Sequence, residues 1–267
     1  MTLVVIHAGF HKTGTTSVQT ALTENAERLA PHLRVLLKPD FKPLTDAARA
    51  CSVAPGDQSV AAVGRRAARV FRRLDRDDPR PVVLCSEDLS GHLPGRHGLC
   101  RYAAAPRIMA TIAENARQHF GDGTDLRFYF STRAPEPWLR STWWQNLRST
   151  RLTADLDRYS ETLAEGADLG RVVQEVAEAV APCPVTSVAL EDSRTRTEGP
   201  LAPLLDLTGL DPEARAALVI PLAANVRPDI GLEEVFLALN RSALKDRPLS
   251  EAKKHLRRIA NRQAGLH

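Results

Sequence analysis

Thr2-Leu3-Val4-Val5-Ile6-His7-Ala8-Gly9-Phe10-His11-Lys12-Thr13-Gly14-Thr15-Thr16-Ser17 is the stretch that sets the architecture. Its first six residues form a β-branched apolar run that stops at Gly9. From Thr15 to Ala30, Val18, Leu22 and Leu29 recur at helical spacing, so the segment reads strand, tight loop, helix. Further short apolar runs predict strands at 33–37, 81–85, 126–130 and 185–190. The runs at 81–85 and 126–130 are continuous, as in strands buried on both faces of a parallel sheet. Helical periodicity occupies 58–75, 103–120, 136–149, 168–180 and 201–207, set off from the strands by Gly, Pro or Asp. This alternation predicts an α/β fold of three layers, with a mostly parallel central sheet of about five strands and helices on both faces. After Pro221 only helix-like pattern remains (231–240 and 250–261), so residues 221–267 read as a helical C-terminal cap on a single domain spanning 1–267.

The 267 residues suffice to bury a large core, and 43% hydrophobic with 25% charged residues is ordinary globular composition, which argues against a disordered or fibrous chain. No stretch approaches 18 consecutive apolar residues, and residues 1–10 lack the basic region and cleavage site of a signal peptide. The expectation is a cytoplasmic protein without a membrane span. The four cysteines, Cys51, Cys85, Cys100 and Cys183, are widely spaced and suggest no metal site. The net charge is +4, and of the 36 cationic residues six are lysines and 30 are arginines. Arginine grips oxyanions bidentately, whereas lysine acts as a point charge.

In an open α/β sheet, a strand–loop–helix junction gathers loop amides and a helix N-terminus carrying about half a positive charge, which suits an anionic ligand. Gly9 and Gly14 permit the tight turn and close approach of backbone. Lys12, one of few lysines, adds a cation, and Thr13, Thr15, Thr16 and Ser17 add hydroxyls. The order is not that of a Walker A motif, because Lys12 precedes Gly14 instead of following it.

The run HAGFHKTGTTSVQ (7–19) resembles the 5′-phosphosulfate loop of the sulfotransferases that use 3′-phosphoadenosine 5′-phosphosulfate (PAPS), particularly their bacterial carbohydrate-type branch. The resemblance implies a P-loop NTPase-like fold, PAPS as donor, 3′-phosphoadenosine 5′-phosphate (PAP) as product, and no required metal. It further implies that Lys12 stabilises the leaving phosphate oxygen while Gly9, Thr13, Gly14, Thr15, Thr16 and Ser17 cradle the phosphosulfate. A second match follows the strand at 126–130, where Arg133 and, eight residues on, Ser141 are similar to the family's 3′-phosphate motif. A dianionic phosphate wants a bidentate guanidinium and a directional hydroxyl. From the same helix, Trp144, Gln145 and Arg148 are candidates to line the acceptor site. Near the C-terminus, Arg227 is a candidate phosphate contact.

Sulfuryl transfer to a hydroxyl needs a base for the acceptor proton. The strand at 81–85 leads into Ser86-Glu87-Asp88, delivering a carboxylate pair to the sheet edge that carries the phosphate loop. Cys85-Ser86-Glu87 resembles a Ser-Ser-Glu run of the bacterial branch, which makes Glu87 the candidate base, with His11 as competitor and His92 a weaker one. His7 reads as a buried hydrogen-bonding residue. The chain departs from the family pattern at Lys38-Pro39-Asp40-Phe41-Lys42-Pro43, where relatives show Tyr-Pro, so the acceptor pocket does not carry over. The expected acceptor is a carbohydrate or small metabolite bearing a hydroxyl or amine. Two other functions compete with this one. A P-loop kinase or nucleotide-binding enzyme would use ATP and Mg²⁺. A nucleic-acid- or polyanion-binding module is suggested by Arg65, Arg66, Arg69, Arg72, Arg73 and Arg76, although a solvated helix face is the better explanation of those arginines and the expectation is no nucleic-acid partner.

Overall fold

All five apolar runs form strands. The computed structural model describes residues 2–220 and 231–263. In chain order its elements are β1 (Leu3–His7), α1 (Thr15–Glu24), α2 (Ala26–Leu29), β2 (Arg34–Leu37), α3 (Lys42–Val53), α4 (Asp57–Phe71), β3 (Val82–Cys85), α5 (Ala105–Phe120), β4 (Asp125–Thr132) and α6 (Pro135–Ser149). There follow α7 (Leu156–Leu163), α8 (Leu169–Val180), β5 (Val185–Ala189), α9 (Leu190–Ser193), α10 (Ala202–Thr208), α11 (Pro212–Ala216), α12 (Glu233–Arg241) and α13 (Asp246–Gln263). A 3-10 turn at Lys38–Phe41 follows β2, and another at Glu87–Ser90 follows β3.

The sheet has strand order β2-β3-β1-β4-β5, and every pairing is parallel. Side chains alternate across it, as strand geometry requires. Val4 and Ile6 join Val82, Leu84, Phe128 and Phe130 in a core closed by α3, α4, α5 and α8. Val5 joins Val83, Cys85 and Tyr129 in a second core closed by α1 and α10. Val4, Val5 and Ile6 are fully buried, each stabilising the fold by roughly 1.5–3 kcal/mol relative to exposure. The result is a three-layer, P-loop-like α/β fold.

Three local readings change. The predicted helix from Thr15 to Ala30 breaks at Asn25, whose amide donates to the carbonyls of Ala21 and Val219 while its oxygen accepts from the Val219 amide. Asn25 thereby ties the break to a segment nearly two hundred residues away. No helix was predicted between β2 and residue 58, yet α3 fills that interval, with Pro43 in its first turn, where the missing amide costs nothing. The second unpredicted helix, α7, begins at Asp155, whose carboxylate caps it by accepting from the Arg158 amide.

The helical C-terminal region packs against α6. Trp144 stacks on Phe236 of α12 with ring centroids 5.4 Å apart, and the Lys253 ammonium of α13 donates to the carbonyls of Leu147 and Thr150 at the end of α6. Those carbonyls have no partner within their own helix, so the lysine acts as a C-terminal cap.

Candidate functional site

β1 lies between β3 and β4, and the chain leaves β1 toward α1 on one face while β3 and β4 lead to helices on the other. Such a switch opens a crevice at the carboxyl ends of the strands. The loop 8–14 fills it. The Ala8 and Phe10 amides continue the ladder onto the carbonyls of Tyr129 and Ser131, at 3.1 and 3.4 Å. Phe10 is fully buried between the rings of Tyr102 and Phe130. His7 lies beneath the loop, stacked on Tyr129, with Nδ1 3.1 Å from Cys85 Sγ and Nε2 3.5 Å from Ser131 Oγ. Complete burial pushes the His7 ring down to about pKa 3, so it stays neutral.

Two residues of the loop adopt left-handed backbone conformations. Lys12 has φ 69°, a left-handed conformation uncommon for a non-glycine residue, and Gly14 has φ 93°. A Cβ on Gly9 would collide with Ser131 Oγ and lie 2.8 Å from His7 Nε2, so the loop can pass only as glycine there. The Thr13 hydroxyl turns inward, donating to the Phe10 carbonyl and sharing a 2.7 Å hydrogen bond with Ser131 Oγ. Thr13 and Thr15 are buried, Ser17 is half-buried, and Thr16 is exposed. No side chain caps the N-terminus of α1 at Gly14. The first amides of a helix lack partners within it, and here they lie at the carboxyl edge beside Lys12.

Arg133 emerges from the end of β4 and reaches this loop. Its Nη1 donates to the Lys12 carbonyl at 3.2 Å, and its Nε lies 3.8 Å from Glu191, beyond hydrogen-bonding distance. Arg133 Nε is buried and, among the described residues, has no hydrogen-bond partner. Glu191, just past β5, also accepts from the Ala134 amide. Trp138 is fully buried and donates from its indole to the His11 carbonyl, fastening α6 to the loop. Ser141 stands half-buried farther along α6, and the structure gives no contact between it and Arg133.

At the end of β3 the two neighbouring carboxylates diverge. Glu87 is half-buried, and its Oε2 accepts from Gln19 Nε2 of α1 at 2.6 Å. Asp88 is buried and ion-paired with Lys38 from the turn after β2, and its Oδ1 lies 3.2 Å from His11 Nε2. Burial alone would raise the Asp88 carboxyl, but hydrogen bonds from His11 and Lys38 hold it well below the usual carboxylate range. His11 Nδ1 lies 3.1 Å from the Tyr102 hydroxyl, which also accepts from the His11 amide. Nε2–H donates to Asp88, and Nδ1 shares a hydrogen bond with the Tyr102 hydroxyl. Both nitrogens of His11, the competing candidate base, thus engage groups of the protein.

The remaining candidates fall into different settings. Trp144, a candidate for the acceptor site, is buried and stacked on Phe236 in the packing of the C-terminal helices. Gln145 and Arg148 are half-buried and hydrogen-bonded to each other. Arg227 lies outside the described residues. The six arginines of α4 and the turn after it are all exposed, as a solvated face requires. Sequence reasoning missed Lys38, Tyr102, Gln19 and Glu191, because each meets its partner only across the fold; Gln19 closes the quoted loop motif, but its partner Glu87 is 68 residues away. No protein-family model matches this chain, and neither does any curated protein.

Proposed function

We propose that this chain is a PAPS-dependent sulfotransferase acting in the cytoplasm on a hydroxyl or amine acceptor, a carbohydrate or small metabolite. One observation carries the reading: the Arg133 guanidinium donates to the Lys12 carbonyl, so two sequence motifs 121 residues apart adjoin at one edge of the sheet. The donor set fits a doubly anionic nucleotide. It comprises Lys12, the uncapped N-terminus of α1, and the buried Arg133 Nε that lacks a hydrogen bond among the described residues. An unsatisfied buried donor is costly, and an anion would relieve it.

PAPS would supply an activated sulfuryl group on a phosphate leaving group. The amides from Gly14 to Ser17 would hold the 5′ end, and Arg133 with Ser141 would hold the 3′-phosphate. Glu87, oriented by Gln19, would take the acceptor proton as the acceptor oxygen bonds sulfur. Lys12 would stabilise the electron pair left on the phosphate oxygen whose bond to sulfur breaks. Positioning and fixed charge supply most of the catalysis in such transfers.

Thermal denaturation with PAP in the absence of metal tests the reading. Saturation at one hundred times Kd contributes about 2.7 kcal/mol, which for a chain of this size is a rise of roughly 5–10 °C in Tm. A Tm unmoved by PAP but raised by ATP with Mg²⁺ would replace this function with that of a kinase.

A further inference from the structure

Basic side chains crowd the β2 side of Glu87. Lys38 pairs with the buried Asp88, and Arg49 of α3 lies 3.9 Å from the same carboxylate. Arg49 Nε and Nη2 both lie 3.4 Å from His92 Nδ1, which requires that nitrogen to accept and leaves the proton on Nε2. The His97 ring packs 4.6 Å from that of His92. Asp88 is one carboxylate facing two cations, and its own side chain is 6% exposed whereas those of Lys38 and Arg49 are 39% and 32% exposed. The positive charge therefore faces outward while the negative charge is interior. The His92 pKa falls to about 4, first through desolvation and then through Arg49, His97 and Arg96, with Asp88 opposing.

Glu87 immediately precedes Asp88 in the same turn, so this cluster lies one residue along the chain from the candidate base. Resting on the sulfotransferase reading, we infer that the acceptor is an acidic sugar, with its hydroxyl at Glu87 and its anionic group held by Lys38, Arg49 and His92. The chemistry suits a carboxylate or a phosphate on the sugar, since a lysine, a guanidinium and an imidazole N–H are all donors to oxyanions.

The test is steady-state transfer of labelled sulfate from PAPS to a glucoside, the matching glucuronide and the matching 6-phosphate, with PAP affinity measured separately by calorimetry. A charge-assisted contact corresponds to about a tenfold to hundredfold preference in kcat/KM for the acidic acceptors. Arg49→Ala should erase most of that preference, chiefly through KM, and Arg49→Lys should restore part of it. Preference for the phosphate over the glucuronide, or the reverse, identifies the anion and supports the site in either case. Equal use of neutral and acidic sugars, or a preference that survives Arg49→Ala, with PAP binding intact, overturns the acidic-acceptor inference and leaves the sulfotransferase reading standing. Failure to bind PAP overturns both.

Discussion

Acidification should destabilise this protein well above the pH at which its carboxylates titrate, and His7 is the reason. The ring is fully buried beneath the loop that follows β1, and its pKa falls to about 3 from an ordinary 6.5. Below pH 6.5 the unfolded chain takes a proton at this position that the folded chain refuses. Stability from the neutral ring is therefore fully present above the unfolded pKa and is lost as pH falls toward 3. Between pH 7 and pH 5 the difference amounts to about 2 kcal/mol, approaching 1.4 kcal/mol per pH unit at the lower end. His92, also lowered, contributes in the same direction but less, because it is half-exposed. Asp88 does not interfere, since its stabilising charge is lost only as pH falls below the ordinary carboxylate range. Urea denaturation followed by tryptophan fluorescence at half-unit steps from pH 7 to pH 5 measures the slope, and His7→Gln should flatten it by nearly one proton. A variant with the wild-type slope, or a His7 resonance titrating near pH 6.5 by NMR, would refute the reasoning.

The remaining expectations concern the site. Lys12→Ala should lower kcat for sulfuryl transfer by roughly 10²- to 10³-fold, as loss of a preorganised charge does, with an unchanged melting temperature as the control for folding. Arg133→Ala should raise the donor KM far more than it lowers kcat, read from initial rates at varied PAPS; an unchanged KM removes Arg133 from the nucleotide site. Glu87→Gln should reduce kcat about 10²- to 10⁴-fold with PAP affinity preserved. Gly9→Ala should destabilise the fold by about 1–3 kcal/mol in chemical denaturation, because the added methyl meets Ser131 and His7 under the loop.

Residues 2–17 determined much of this protein without any coordinates. A β-branched run, a glycine-bounded loop and a helical period impose strand, turn and helix locally, and the recurrence of that pattern imposes a parallel sheet. All five strands were legible for this reason. The helix α3 was not, because Pro43 in a first turn looks in sequence like any other proline. The gathering of a cation and hydroxyls in one loop was also legible, since Lys12, Thr13, Thr15, Thr16 and Ser17 lie together in the sequence. What the loop residues do individually was not. Thr13 reads as a ligand-facing hydroxyl and turns inward to Ser131, a partner supplied by β4. His11 reads as a base and is held at both nitrogens by Tyr102 and Asp88, which come from 91 and 77 residues away. Glu87 and Asp88 are adjacent in sequence, yet one faces Gln19 at the site and the other is buried against Lys38. Local pattern is fixed by neighbours along the chain, so sequence suffices for it. Protonation, orientation and the division of labour between like residues depend on desolvation and on partners across the strand order β2-β3-β1-β4-β5, and only the tertiary structure brings those together.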